Sequence, residues 1–188
     1  ALLEINQFTL SSVEVVKGPV SSIYGAEAIG GAVNLIGQRP TAVPSAKVGI
    51  QFDQFGYKRL QFGTGMMTGK KFGFNNGGVI SKKKDGWITS SDYDKTNITA
   101  RFEYQINDKS RLTFSNAYGK YYSQTSGSVD SVAFYSRQYV STTDFTYRKS
   151  DAIRSSLRWD HDWSKNASTF LTAFYRNNKL GQNPSYGI

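Results

Sequence analysis

The chain has 188 residues, a net charge of +9, a mean hydropathy of −0.47 and no cysteine. Disulfides and thiolate metal sites are therefore excluded, and the lack of an 18-residue apolar run excludes a transmembrane helix. A membrane β-barrel remains open, because the hydropathy of alternating strands averages out. The cations are scattered, with no basic helix and no RNA-binding aromatic signature, so no nucleic-acid partner is expected. The 12 Tyr and 12 Phe suit strands bounded by aromatic girdles. The chain starts and stops mid-pattern and reads as an internal piece of a longer protein.

In chain order, residues 1–12 hold Leu2, Leu3, Ile5, Phe8 and Leu10 without a clear period. The next stretch, VEVVKGPVSSIYGAEAIGGAVNLIGQRP at 13–40, is denser in signals. Residues 13–17 are β-branched enough for a short strand. Gly18-Pro19 ends it, since proline cannot donate to a ladder. Ser21 and Ser22 can cap a turn of helix holding Ile23 and Tyr24. Gly25, Gly30 and Gly31 mark sharp turns or close backbone approach, and residues 32–36 form a second apolar strand. A phosphate-binding loop would need a different glycine spacing.

The ordered series V-E-V-V-K-G-P, Y-G, A-I-G-G-A-V-N-L-I and R-P resembles the C-terminal end of the plug domain of TonB-dependent outer-membrane receptors. It departs at Lys17, where arginine is more usual, and at Gly37, where threonine is. The resemblance implies a mostly all-β chain, a fragment of a 22-stranded antiparallel transmembrane β-barrel preceded by the C-terminal part of an α+β plug. Residues 1–40 would belong to the plug, 41–45 to a linker and 46–188 to roughly the first seven barrel strands. Lys17, Gly18, Pro19, Tyr24, Gly25, Gly30, Gly31 and Asn34 would be structural and gating positions of the plug. The implied location is the outer membrane. The implied activity is TonB-dependent import of a scarce chelate, first a ferric siderophore, with cobalamin and haem as alternatives. The implied partners are TonB, through a segment outside this chain, the metal chelate, and outer-membrane lipid with lipopolysaccharide. No resident cofactor and no enzymatic activity are implied.

From residue 46 the pattern becomes period-two. Segments are expected at 46–53, 57–67, 71–82, 95–105, 111–122, 149–162 and 167–177. The fourth alternates most cleanly, with Ile98, Ala100, Phe102 and Tyr104 on one face against Thr99, Arg101, Glu103 and Gln105 on the other. The faces of the seventh are less distinct. Connections after the second segment alternate short (68–70), long (82–94), short (106–110), long (123–147) and short (163–166). Outer-membrane barrels show this rhythm, with short periplasmic turns and longer extracellular loops. Segment lengths are near the roughly 9–11 residues a tilted strand needs to cross hydrocarbon. A soluble β-sandwich or propeller, acting as a binding module, is the other reading of such alternation. Its usual strands are about five or six residues long, which argues against it.

No catalytic set emerges. His161 is the only histidine. Its neighbours Asp160 and Asp162 project to the opposite face of a strand, so the three cannot converge on a metal. An interfacial cluster with Trp159 and Trp163 is the plainer reading. Arg101, Glu103, Arg154 and Arg158 are expected to face the lumen, either pairing with the plug through Lys17 or Glu14 or meeting water. Trp87, Tyr93, Phe134, Tyr135 and Tyr139 are the candidate ligand contacts in the long loops, since aromatic loops can hold a ligand's apolar surface. The alternative is that they pack the loops against themselves. Lys82, Lys83 and Lys84 read as a solvated loop face or as a contact for anionic headgroups or ligands.

Overall fold

Period-two alternation becomes seven consecutive antiparallel strands in a computed structural model that describes residues 6–24, 26, 28–84, 86–137, 139–141 and 143–184. The first two strands, β1 (Leu10–Lys17) and β2 (Gly31–Gly37), form a separate antiparallel pair, with the short helix α1 (Ser21–Tyr24) in their connection. The other seven are β3 (Ser45–Phe52), β4 (Tyr57–Thr68), β5 (Phe72–Lys83), β6 (Tyr93–Asn107), β7 (Ser110–Gln124), β8 (Tyr147–Ser164) and β9 (Ala167–Asn183). Each pairs with the next in one meander. A second short helix, α2 (Ser131–Ser136), lies in the longest loop, capped by the Asp130 carboxylate, which accepts from the Ala133 amide at 2.7 Å. Composition alone gave no sign of it, because one capped turn carries no amphipathic period.

Connections alternate around this meander. The turns after β4, β6 and β8 are tight, and the connections after β5 and β7 are long. The chain leaves β2 and reaches β3 at the tight-turn end, where the Met67 amide donates to the Thr41 carbonyl at 2.9 Å. The later strands, from β6 on, outrun their expected bounds. β8 has 18 residues and β9 has 17, more than the roughly 9–11 that hydrocarbon requires. Residues 178–183 lack alternation of their own, and pairing with residues 147–152 extends β9 through them.

The distribution of burial decides what kind of sheet this is. Among the described residues the buried apolar side chains are Ala28, Val79 and Ala152. The buried polar ones include Gln61, Asn75, Ser81, Asn97 and Thr113. From β3 to β8 most large apolar side chains lie on the opposite face and are open: Leu60 is 42% exposed, Ile98 46% and Leu157 49%, whereas on β9 Phe170, Phe174 and Leu180 share the polar face by register. A water-soluble sheet buries its apolar face and leaves the polar one wet. This sheet does the reverse, which suits lipid on the apolar side and a polar lumen on the other. An exposed apolar face of this extent does not fit a soluble module. No described helix is long and apolar enough to cross a membrane, which says nothing of strands.

Girdle residues flank the apolar band. Near the tight-turn end His161 sits between two indoles, stacked on Trp159 at 5.4 Å and edge-on to Trp163 at 4.2 Å. Its Nδ1 lies 2.5 Å from Ser110 Oγ. Asp160 faces the other way, toward Arg158 at 2.7 Å.

Candidate functional site

The polar face becomes a site because a piece of the first unit is seated on it. Asn6 is the anchor, and it is completely buried. Its Oδ1 accepts from the Phe8 amide at 3.0 Å, capping a 3-10 turn (Gln7–Thr9). The same oxygen accepts from Gln61 Nε2 at 2.6 Å, and Asn6 Nδ2 donates to the Phe62 carbonyl at 2.8 Å. Arg59 continues the chain by donating to Gln61 Oε1 at 2.6 Å. Across the turn, the Thr9 and Thr99 hydroxyls lie 3.3 Å apart. Glycine makes the seat. A Cβ at Gly77 would come within 2.7 Å of both Asn6 Nδ2 and the Phe62 carbonyl, and one at Gly63 within 2.9 Å of Phe8 Cβ. The sequence placed no element at residues 6–9, because an Asn-capped turn of three residues has no period to read.

A second contact is ionic. Glu103 is nearly buried, with Arg101 at 2.7 Å and Arg39 at 3.6 Å. Arg39 lies just beyond β2, so the inward carboxylate of β6 is tied to the exit of the first unit. The expected partners were Lys17 or Glu14, and the structure replaces them. Glu14 accepts instead from Asn34 Nδ2 at 3.0 Å across the β1–β2 pair. The reason is register: Glu14 and Asn34 are directly opposite in the ladder, whereas Arg39 has already left it. Asp160 forms a comparable group with Arg158 at 2.7 Å and Arg111 at 3.8 Å. Arg158 also lies over the Phe170 ring at 4.3 Å. Between the first unit and β5–β8 remains a cavity of about 320 Å³, with Asn6, Leu35, Thr99, Arg101 and Arg154 in its wall.

The glycine-rich unit closes on two special positions. Gly18 has φ +95° and Gly31 φ +141°, both disfavoured for side-chain-bearing residues. The Gly18 amide donates to the Gly30 carbonyl at 3.3 Å, and beyond Pro19 the Val20 amide donates to the Ala28 carbonyl at 3.1 Å. Lys17 pairs with Gly31 in the ladder. Gly25 and the side chain of Tyr24 lie outside the described residues.

The long loops gather most of the candidate aromatics. Trp87 meets Phe134 edge-on at 5.8 Å, and Phe134 meets Tyr135 at 5.5 Å. The loops are stitched by the Ile88–Tyr139 bridge and by the Ser141 amide donating to Thr89 Oγ1 at 2.6 Å. The Tyr139 hydroxyl sits 2.8 Å from the Ser126 carbonyl and 2.9 Å from that of Ser128, so Tyr139 organises its own loop. Tyr93 is not in a loop. It is the first residue of β6, edge-on to Tyr121 at 5.6 Å. Its strand start is hidden because 82–94 is mostly polar, with no alternation leading into Tyr93. Phe134 and Tyr135 remain exposed. Lys82 and Lys83 end β5 rather than lying in the loop, and Lys82 and Lys84 meet Asp94 and Asp92 at 3.3 and 3.7 Å.

No family model matches the chain. Over 208 residues it is 24% identical to the ferrichrome outer membrane transporter/phage receptor of Escherichia coli (strain K12), covering 97% of this chain and 26% of that protein. Among solved structures, the ferric citrate transporter FecA in its unliganded form has a TM-score of 0.80 at 15% identity, covering 98% of this chain and 29% of that one. The ferric preacinetobactin receptor BauA of Acinetobacter baumannii scores 0.78 at 17% identity, over 94% of this chain and 28% of that one. The ferric-catecholate import receptor Fiu of E. coli K12, in its open form, scores 0.76 at 18% identity, over 93% and 29% respectively. The chain thus spans about a quarter of the length of the curated relative it matches. The seated first unit, the inside-out sheet and these similarities converge: the chain carries the fold of the TonB-dependent outer-membrane receptors.

Proposed function

We propose that the chain spans the junction between plug and barrel of an importer that carries a metal chelate across the outer membrane, a ferric siderophore first among such cargoes. On this reading residues 1–40 end the plug, 41–45 link, and 46–188 are the first strands of a 22-stranded barrel that continues beyond β9. The observation that carries the reading is the seat of Asn6 and its turn on the polar face of a sheet whose other face is apolar and open. A wide barrel without an occluding domain would leak, and lipid tolerates neither an unpaired edge nor a charged outer face. The Arg39–Glu103 contact would hold the plug's exit against the wall while energy from periplasmic TonB rearranges the rest. The exposed Phe134 and Tyr135, with Trp87 beside them, would meet the ligand's apolar surface outside. The lysines near the loop ends would meet outer-leaflet lipopolysaccharide.

Growth of a strain deleted for the full gene on defined iron sources, paired with chelate binding to the purified whole receptor, tests the proposal. Loss of growth on one ferric chelate, with matching binding, is expected. Normal growth on every iron source, with no chelate bound, would remove iron import and leave a different nutrient.

A further inference from the structure

The apolar face of the large sheet carries its charge at one end. Near the long loops Lys58, Lys82, Lys120, Lys149 and Lys179 lie on it by register. Toward the tight turns the same face runs through Phe102, Phe114 and Leu157 to Tyr104, Leu112 and Trp159, with no Asp, Glu, Lys or Arg on its strands. Charge returns at the turns themselves. The β6–β7 and β8–β9 turns are joined by the Asp162 amide, which donates to the Lys109 carbonyl at 2.9 Å. Between them lies a cavity of about 860 Å³ with Lys109, Asp162, Trp163, Lys165 and Ser168 in its wall. Lys109, Asp162 and Lys165 are exposed there. Trp163 is 60% exposed, although its Nε1 already donates to Thr169 Oγ1 at 3.1 Å. His161, held at Nδ1 by Ser110, packs against the Trp163 ring. A fixed indole with its donor satisfied offers an apolar surface where hydrocarbon gives way to headgroups.

Resting on the importer reading, which puts these turns on the periplasmic side, we propose that the cavity binds the zwitterionic phosphoethanolamine headgroup of an inner-leaflet phospholipid. Lys109 and Lys165 donate charge-assisted hydrogen bonds to the phosphate oxygens. The Asp162 carboxylate accepts from the primary ammonium. Trp163 covers the glycerol and the first methylenes of the acyl chains. The charges choose the headgroup. Two lysines beside one carboxylate complement a phosphate beside an ammonium. A glycerol headgroup brings no cation to Asp162, and a choline headgroup brings a cation that has no N–H to donate. Basic pockets at the ends of membrane segments hold lipid headgroups by the same attraction; here the carboxylate adds selectivity.

The test uses the whole receptor, purified in detergent and stripped of lipid. The probes are short-chain phosphatidylethanolamine, phosphatidylcholine and phosphatidylglycerol of equal acyl length, and retained lipid is counted by native mass spectrometry. Phosphatidylethanolamine is expected to bind about fivefold or more tighter than either other lipid. The double variant K109Q/K165Q should weaken it about fivefold or more, and K109R/K165R should keep it, because charge is required. D162N should abolish the preference among the three headgroups. Heat-modifiable migration of each variant shows that the barrel still forms. Equal retention of the three lipids by the parent, or no loss in K109Q/K165Q, overturns the site. Displacement of the lipid by an equal concentration of inorganic phosphate would make it a site for soluble anions and overturn it as well. Each of these outcomes leaves the importer reading standing. Absence of heat-modifiable migration in the parent receptor removes the barrel, and with it both the importer reading and this inference.

Discussion

Replacing Asn6 with alanine is the sharpest perturbation of the seat. Asn6→Ala removes the cap oxygen from the Phe8 amide, the acceptor for Gln61 Nε2 and the donor to the Phe62 carbonyl in one step. Loss of an N-cap costs about 1 kcal/mol. Gln61 is 3% exposed, so its stranded amide adds about 1–3 kcal/mol. The expected loss is therefore about 2–4 kcal/mol in the opening of the turn from the wall. At 1.4 kcal/mol per tenfold, that is roughly 30- to 700-fold. Amide hydrogen exchange in the whole receptor reads the opening directly. The reporters are the Thr9 and Gln38 amides, which donate to the Asn6 and Thr9 carbonyls at 3.1 and 2.8 Å. Both should exchange faster by that factor, while amides of β6 and β7 stay as they were. Asn6→Asp keeps the acceptor but sets a carboxylate oxygen against the Phe62 carbonyl in a buried site, and should open the turn at least as much as Asn6→Ala. Exchange at Thr9 and Gln38 within about threefold of the parent would refute the claim that Asn6 anchors the turn.

Other consequences follow from the same contacts. A double-mutant cycle on Arg39→Gln and Glu103→Gln should give a coupling of about 0.5–1.5 kcal/mol in denaturant unfolding, limited by the exposure of Arg39, and zero coupling would remove the ionic tie. Ile98→Arg places a charge on the lipid face and should cost about 2–4 kcal/mol at mid-height, read as loss of the heat-modifiable band, whereas Thr99→Ser on the other face should leave the band intact. Gly73→Val would drive a side chain into Pro40, whose Cβ lies 2.7 Å from the position of an added Cβ; the linker should become protease-sensitive while the sheet persists. Tyr139→Phe should loosen the loop by removing the hydroxyl from the Ser126 and Ser128 carbonyls, seen as faster exchange at 125–128. Tyr135→Ala, at an 83% exposed position, should leave loop exchange unchanged and lower chelate affinity if the loop meets the ligand.

Much of this architecture was legible from residue order, for a physical reason in each case. Strand alternation is a local property of a pleated backbone, so β3 to β7 begin and end within two residues of the segments expected from the pattern. The Gly18 and Gly31 positions were marked because no other residue adopts their φ without strain. The alternation of short and long connections was also written in composition. Three-dimensional pairing decided the rest. β9 runs through residues 178–183 because β8 supplies partners there, not because those residues alternate. Tyr93 joined a strand and Tyr139 its own loop because carbonyls and ladder partners distant in sequence became neighbours. Glu103 found Arg39 rather than Lys17 or Glu14 because a long-range ion pair depends on where the first unit is seated, and that seat is set by Asn6 with the glycines at 63 and 77. The sequence by itself determined which side chains share a face, since period two is built into a strand. Only the tertiary structure decided which residues seat the first unit on the polar face, because those contacts join residues more than fifty positions apart, as in Asn6 with Gln61 and Phe62.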